Sequence, residues 1–496
     1  MSRRPLVVVL DGPPTPAWQA RALSLMEQSP QFRVIETRLL GPVRVGAWER
    51  MLATIERRIF GGRDALAPTR LPAVADGPSQ QPDALVVWLS ERPPPADEPR
   101  DLLHLRHDRA AVSAAAAVGR AVVDDAATVE TEAVLRRGDA ELLVDRTVSG
   151  VRPYSALVTR DLMLWKLASF ASRAVERAPR ADRPAAPPRS LAPPSARSAS
   201  SHALVAWTRV VVTRVLFQRP WSIRVRRRRD DPTGGWTGGD EGLVRWGDSP
   251  VYADPFLFEH EGRHHLFCEE VPSGSRRGVI SHTELAPDGS PAAPPTVVLE
   301  AEHHLSYPFV FRHAGELFMV PETSAARRVA LYRAVDFPRV WAFEAELLAD
   351  VAASDATIVE HDGRFWLFAA IAAPDASSLD ELHLFWADEL RGPWRPHPRN
   401  PVVSDVRGAR PAGAVQRRGE RLVRPAQDGS RRYGWAISFR EIDVLTTTEY
   451  AEHEIDRIEP AGLGGARATH HYTTDGSFEA IDYRRRWLRR GSRGRR

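Results

Sequence analysis

The sequence predicts two domains of different class: an amino-terminal α/β domain with a Rossmann-like parallel sheet, and a carboxy-terminal all-β propeller of five blades. Three observations lead there. Positions 1–177 alternate apolar runs with stretches of helical periodicity. A segment rich in proline, alanine, serine and arginine follows at 178–202. Beyond it, one strand–glycine turn–strand unit recurs five times at nearly constant spacing. A chain of 496 residues suits this division, because single cores stop growing at about 250–300 residues.

In the α/β domain, Leu6–Leu10 (LVVVL) is a short buried strand, followed by a helical pattern over Pro16–Glu27. Phe32–Leu39 and Ala84–Leu89 are the next strands, Ala110–Arg120 is a small-residue helix, and the amphipathic run Arg160–Arg177 closes the domain. Strand–helix–strand units imply right-handed crossovers and a parallel sheet. The first strand–helix turn, DGPPTPAW, lacks the glycines that bring backbone amides against a pyrophosphate, so no dinucleotide site is expected. Residues 178–202 bury too little apolar surface to offset their ordering entropy and are expected to be a linker.

The propeller is expected over 203–485, with a basic tail at 486–496. Its five copies begin at Asp254, Tyr307, Asp355, Pro411 and Ala468, and their turn glycines are Gly262, Gly315, Gly363, Gly419 and Gly476. The intervals between successive turn glycines are nearly equal, and each is long enough for one four-stranded blade. Glycine recurs at the turn because hairpins need positive φ there.

Geometry converts the repeat into a site. The start of each first strand and the end of each second strand share one face, and both should converge on the axis. That places Asp254, Tyr307 and Asp355 at one mouth, with His470 and His471 just inside it. After the turns come Glu269 and Glu270, Glu322, and Gln427 followed by Asp428, with Arg410 and Arg424 close enough to supply a cation. Apolar strands otherwise avoid carboxylates, whose desolvation is costly, so the cluster is a candidate site. The plainer alternative is that Asp254 and Asp355 cap the inner strands. Tyr307 and Trp366 are candidates to stack on a sugar face, and Trp366 equally to fill the core. A calcium ion at the axis, its water held by His470, His471 and nearby carboxylates, is the one cofactor the cluster suggests.

Composition narrows the partners. Formal charge is only +4 despite a sequence pI of about 9.5, so a nucleic-acid partner is not expected. Two arginine runs, Arg224–Arg229 and Arg484–Arg496, are expected to be solvated, or to touch anionic lipid headgroups peripherally. Cys268 is the only cysteine, which excludes an intramolecular disulfide. No apolar stretch is long enough for a membrane-spanning helix, and a cytoplasmic protein is the simplest expectation.

The motifs YADPFLFEHEGRHHLFCEE, HLSYPFVF, PETS, DATIVEHDGRFWLF and RPAQDGSRRYG resemble the amino-terminal propeller of plant glucosamine inositolphosphorylceramide transferases. They also resemble a bacterial group in which that propeller follows a formyltransferase-like domain. The arrangement is more distantly similar to glycoside hydrolase family 43. The last resemblance implies Asp254 as base, Asp355 as the partner that tunes pKa and orientation, and a blade-four glutamate as acid. This chain has Gln427 and Asp428 there instead, which leaves Glu322 as the acid candidate. In the first domain, formyl transfer would call on His104, His107 and Asp108 of HLRHD, but its asparagine partner is missing, so that domain is expected to be degenerate. Two functions are therefore expected in competition: glycan or glycolipid-headgroup processing by carboxylate acid/base chemistry, and non-catalytic sugar recognition in polysaccharide or glycolipid biosynthesis. A third, a sugar formyltransferase-related enzyme in which the propeller selects the substrate, is opposed by the degenerate first domain.

Overall fold

The computed structural model describes residues 3–42, 63–69, 81–191, 221–236 and 251–484, with short pieces at 54, 56–58, 71, 217–218, 243–244 and 487–488. The chain divides into two compact units, Met1–Val210 with Ala373–Ser377, and Val211–Ala372 with Ser378–Arg496. Among the described residues, no helix is long and apolar enough to cross a membrane. Most of the expected linker (192–202) and of the basic tail lies outside the described residues. The part at 178–191 includes Arg183–Pro184, which pairs with Leu142 and Leu143 at a sheet edge.

The first unit is built on a seven-stranded sheet. Strands Phe32–Leu39, Arg4–Leu10, Leu85–Trp88 and Leu102–His107 run parallel in that spatial order. Thr128–Arg137 and Ala140–Gly150 then add antiparallel, so the sheet is mixed where a parallel one was expected. The tight turn at 138–139 makes the last two strands an antiparallel hairpin, while Thr128–Arg137 itself returns antiparallel to Leu102–His107 after an intervening helix. Helices α1 (Ala17–Gln28), α2 (Ala114–Val123) and α3 (Ala156–Arg177) match the periodic segments. Helix α3 starts where the Ser155 hydroxyl accepts the Val158 N–H at 2.9 Å, and it buries Leu164, Leu167, Phe170 and Ala174 in the core.

His104 and His107 lie three positions apart on one strand and therefore point to opposite faces. His107 is engaged by the Thr131 hydroxyl at 2.9 Å, and Asp108 accepts the Glu130 N–H at 2.9 Å. The three candidates do not converge.

The second unit contains five four-stranded sheets, one per repeat copy. Blade 1 spans Val251–Leu299, blade 2 Ser306–Leu348, blade 3 Ala353–Pro396 and blade 4 Gln416–Ile458. Blade 5 is made from both ends of the domain. Tyr472–Thr474 and Phe478–Arg484 supply its inner strands, and Trp221–Arg227 pairs antiparallel with Phe478–Arg484 along its whole length. This closure ties the ring shut without a covalent link. All five turn glycines have positive φ, between 64° and 98°.

The closing strand also corrects the expectation for its arginines. Alternation buries Arg224, which donates to the Trp236 carbonyl, and lays Arg226 over the Trp236 ring at 3.6 Å while it pairs with Glu479 at 2.7 Å. Only Arg227–Arg229 of that run are exposed.

Candidate functional site

Blades 1, 2 and 3 share a local distortion at the mouth. The pairing of the first and second strands skips residues 254–255, 307–308 and 355–356. At these bulges Asp254, Tyr307 and Asp355 take left-handed backbone, with φ of 49°, 49° and 56°. Each such residue costs about 1–3 kcal/mol and persists only where its surroundings hold it. Here a carboxylate holds each one, through its backbone amide. Asp254 N–H donates to Asp482 Oδ2 (3.2 Å), Tyr307 N–H to Asp254 Oδ2 (3.2 Å), and Asp355 N–H to Glu322 Oε2 (3.3 Å). Asp482, Asp254 and Glu322 thus hold inner strands, each reaching the neighbouring blade to do so. Of the two aspartates in the plainer alternative, Asp254 does this, while the Asp355 carboxylate accepts from Arg410 and Gln427 instead.

The same carboxylates form a charged centre. Arg410 is buried and donates to both oxygens of Asp355 at 2.6 and 3.2 Å, and to Glu322 at 3.4 Å. Gln427 donates its amide to Asp355 at 2.9 Å, while its own Oε1 is buried without a hydrogen-bond partner. Around Asp254, His470 Nε2 stands 3.5 Å away and His471 Nδ1 3.7 Å away. Neither ring nitrogen of the fully buried His471 has a hydrogen-bond partner. Asp482 binds His470 Nδ1 at 2.5 Å and accepts the N–H groups of His470 and His471 at 2.9 and 3.0 Å.

Proton affinities diverge across this centre. Burial, with the nearby charges of Glu269, Asp355 and Asp482, pushes the Asp254 carboxyl well above the usual carboxylate range. Burial raises Asp355 to about 7, with Glu322 adding to the rise and Arg410 opposing it. Glu322 goes the other way. Burial works to raise it, but the Arg410 guanidinium and the Ser324 hydroxyl outweigh that and hold it low. These surroundings favour the protonated form of Asp254 and the ionised form of Glu322, the opposite direction to the base and acid roles that the resemblance implies for them. His471 is driven down to about 3 by burial and is neutral.

Other expected residues lie elsewhere. Glu270 and Asp428 follow Glu269 and Gln427 directly, so strand alternation turns them to the opposite face. There Glu270 accepts from Ser281 at 2.7 Å and Asp428 pairs with Arg457 at 2.7 Å. Arg424, three positions before Gln427, also faces away and pairs with Glu452 at 2.7 Å. Glu269 stays near the mouth beside His304 at 3.2 Å. The Tyr307 ring is fully buried, with its hydroxyl 2.7 Å from Thr357 and accepting the Gly413 N–H at 2.9 Å, so no sugar can stack on it. Trp366 is core, donating to the His361 carbonyl at 3.2 Å.

Three contributors went unnoticed in the sequence: Asp482, Trp221 and Tyr433. Asp482 lies six positions after its turn glycine where Glu322 lies seven after its own, and that offset hides it. Tyr433 is 37% exposed, with Arg410 at 5.5 Å from its ring and His470 at 5.1 Å. Trp221, from the closing strand, stacks on His470 at 4.1 Å.

Asp254, His470 and Asp482 offer three donor atoms within 4.8 Å of one another. Calcium takes six to eight oxygen ligands. One imidazole and an Asp482 carboxylate that already accepts three backbone N–H groups and stands 2.5 Å from His470 Nδ1 do not fit that ion.

Comparison with known proteins falls on this unit. Residues 246–466 match the family model described as glucosamine inositolphosphorylceramide transferase 1, N-terminal. Glucosamine inositolphosphorylceramide transferase 1 of Arabidopsis thaliana is 34% identical over 210 residues, which cover 42% of this chain and 27% of that protein. Its counterpart in Oryza sativa subsp. japonica is 34% identical over 220 residues, covering 44% and 29%. The chain thus spans less than a third of the length of these relatives. A family 117 glycoside hydrolase of Zobellia galactanivorans is similar in structure at a TM-score of 0.35 and 12% identity, over 53% of this chain and 90% of its own. The segment matched by the family model contains blades 1–4, while Trp221, His470, His471 and Asp482 of blade 5 lie outside it.

Proposed function

We propose that the propeller mouth binds a glycan or a glycolipid headgroup, with Asp254 as the group that gives up a proton. The observation that carries this reading is the gathering of buried Asp254, Glu322 and Asp355 at one mouth, where the surroundings push Asp254 towards its protonated form and Glu322 towards its ionised form. Environments that push two carboxyls apart are how an acid and a base coexist near neutral pH. In a cleavage, Asp254 would protonate the departing glycosidic oxygen as its bond to the anomeric carbon breaks. Ionised Glu322 would offset the positive charge that develops on the sugar and accept a proton from attacking water. The likeness of residues 246–466 to a segment of plant sugar transferases supports carbohydrate as the ligand class.

One observation favours a second reading, recognition without turnover. Arg410 and Gln427 occupy Asp355 from two sides, and Arg410 also holds Glu322, leaving these acids few open lone pairs.

Binding and product release on an array of glycans, amino sugars and glycolipid headgroups, with Asp254→Asn as control, separate the two. Under the first reading the wild type releases product and the variant loses release while still binding. Binding by both proteins with release from neither would leave the recognition module.

A further inference from the structure

The two carboxyl oxygens of Asp254 have different neighbours. Oδ2 accepts the Tyr307 N–H at 3.2 Å, the contact that holds the blade-2 bulge. Oδ1 faces blade 5, where His470 Nε2 stands 3.5 Å away. Through its other ring nitrogen, Nδ1, the same imidazole is 2.5 Å from Asp482. A carboxyl of blade 1 thus meets an imidazole of blade 5 that a second carboxyl already grips from behind.

Asp482 is the ionised end of this set. Its oxygens accept the backbone N–H groups of Asp254, His470 and His471 at 3.2, 2.9 and 3.0 Å, and such donors favour a carboxylate. Burial works to raise the Asp482 carboxyl, but His470 and His471 outweigh that and hold it low. The imidazole is packed in one orientation. It is 2% exposed, stacks on Trp221 at 4.1 Å with 17° between the rings, and meets the edge of Tyr433 at 5.1 Å. Gly434 leaves room for that stack. A Cβ there would come within 2.8 Å of His470 Cβ and 2.9 Å of the Trp221 ring. A neutral imidazole held with Nδ1 against a carboxylate carries its proton on Nδ1, which turns the Nε2 lone pair to Asp254. His471 makes the contrast. Its Nδ1 lies 3.7 Å from the same Asp254 oxygen, yet neither of its ring nitrogens has a hydrogen-bond partner to fix the tautomer.

We propose that Asp482, acting through His470, positions the proton of Asp254: the Nε2 lone pair keeps that proton on Oδ1, the oxygen that the Tyr307 amide does not use. The inference rests on the reading of Asp254 as proton donor given above. In a cleavage the proton leaves Oδ1 for the departing oxygen, and His470 keeps its own Nδ1 proton throughout. The balance closes when the proton that Glu322 takes from water returns to Asp254. Other charges reach the pair, namely Glu269, Asp355 and Arg410 around Asp254, and Tyr433 and Arg484 on the Trp221 side of His470. They bear on how readily Asp254 ionises, whereas His470 selects the oxygen that holds the proton.

The test is nitrogen NMR of the full chain labelled with 15N-histidine, the His470 signals being assigned by their loss in His470→Gln. Carbon NMR of 13C-aspartate, assigned by Asp254→Asn, follows the Asp254 carboxyl in parallel. In the wild type, His470 should be the Nδ1–H tautomer at neutral pH. As pH rises and Asp254 ionises, the Nε2 signal should shift towards that of a free lone pair, with the same midpoint as the Asp254 carbon. That shift should be lost in Asp254→Asn, and Asp482→Asn should move the proton to Nε2, as a carboxylate-to-amide change does to a carboxylate-oriented histidine. A wild-type His470 protonated on Nε2, or an Nε2 signal that ignores the Asp254 titration, overturns the positioning role and leaves Asp254 as donor standing. A folded Asp482→Asn protein that keeps the Nδ1–H tautomer removes Asp482 as the orienting group. Should that variant fail to fold, the coincidence of the two wild-type midpoints decides. An Asp254 carboxyl already ionised in the acid range sinks the donor reading itself, whatever the tautomer of His470.

Discussion

Arg410 donates from Nε to Oδ2 of Asp355 at 2.6 Å, from inside the mouth of the propeller, and the same guanidinium reaches Glu322 at 3.4 Å. One cation therefore compensates two buried acids that belong to two different blades. Removing it leaves both buried charges uncompensated.

Arg410→Met is accordingly expected to destabilise the protein by about 3–5 kcal/mol, the range for breaking a buried ion pair from one side. Arg410→Lys should recover only part of this, because an ammonium keeps the charge but loses the two-pronged contact. Urea denaturation of the three proteins measures both effects. A loss below about 1 kcal/mol for Arg410→Met, the level of a surface pair, would show that the centre is hydrated.

The shifted carboxyls set a pH signature. Asp355 is raised to about 7 and Asp254 is raised as well, so each contributes stability that is full below about pH 4. That contribution is lost as pH rises through the folded value. Glu322 is lowered, so its contribution is present above the usual glutamate range and is lost as pH falls. Asp355→Asn removes the first effect at one site. Beyond a constant offset from its weaker hold on Arg410, the variant should gain on the wild type between pH 4 and 8, on the order of 2–4 kcal/mol. A difference that stays flat across that window would refute the assignment for Asp355.

Much of this architecture is legible in the chain because glycine at a hairpin turn is a physical requirement that recurs with the blade. The five glycines give the blade count, and counting back eight positions from each finds Asp254, Tyr307 and Asp355. Which way a side chain points is harder to extract. Glu269 and Glu270, or Gln427 and Asp428, are equivalent until the register is known, and a one-residue change of register exchanges them. Arg410 comes from a long connection with no periodicity. Trp221 reaches the site because the strand at 221–227 closes blade 5 from the opposite end of the propeller's sequence, a pairing that no local pattern announces.

That closing strand is open to a direct test. Ile223 is fully buried where blade 5 packs on blade 1, in one cluster with Leu266 and Cys268 of blade 1 and Phe478 and Ala480 of blade 5. Ile223→Ala should cost about 2–5 kcal/mol, from the lost transfer term and the cavity left behind. The same change should expose Cys268, whose thiol is buried and inert in the native protein. Its rate of labelling by a maleimide should then rise with the population of the opened blade. A destabilised variant whose Cys268 stays as protected as in the wild type would place the loss outside the junction of blades 5 and 1.

Tyr433 offers the cleanest separation of binding from folding. Its ring is partly exposed at the rim and packs edge-on to Trp221 at 6.2 Å, with Arg410 beneath it at 5.5 Å. An exposed aromatic beside polar groups suits a sugar, whose ring has an apolar face and a polar edge. Tyr433→Ala should weaken sugar binding about five- to tenfold, an aromatic contact of about 1 kcal/mol, and shift stability by less. Tyr433→Phe should bind nearly as the wild type if the face carries the contact, and like the alanine variant if the hydroxyl does. Should both variants bind as the wild type does, the sugar does not pass Tyr433 on its way into the mouth.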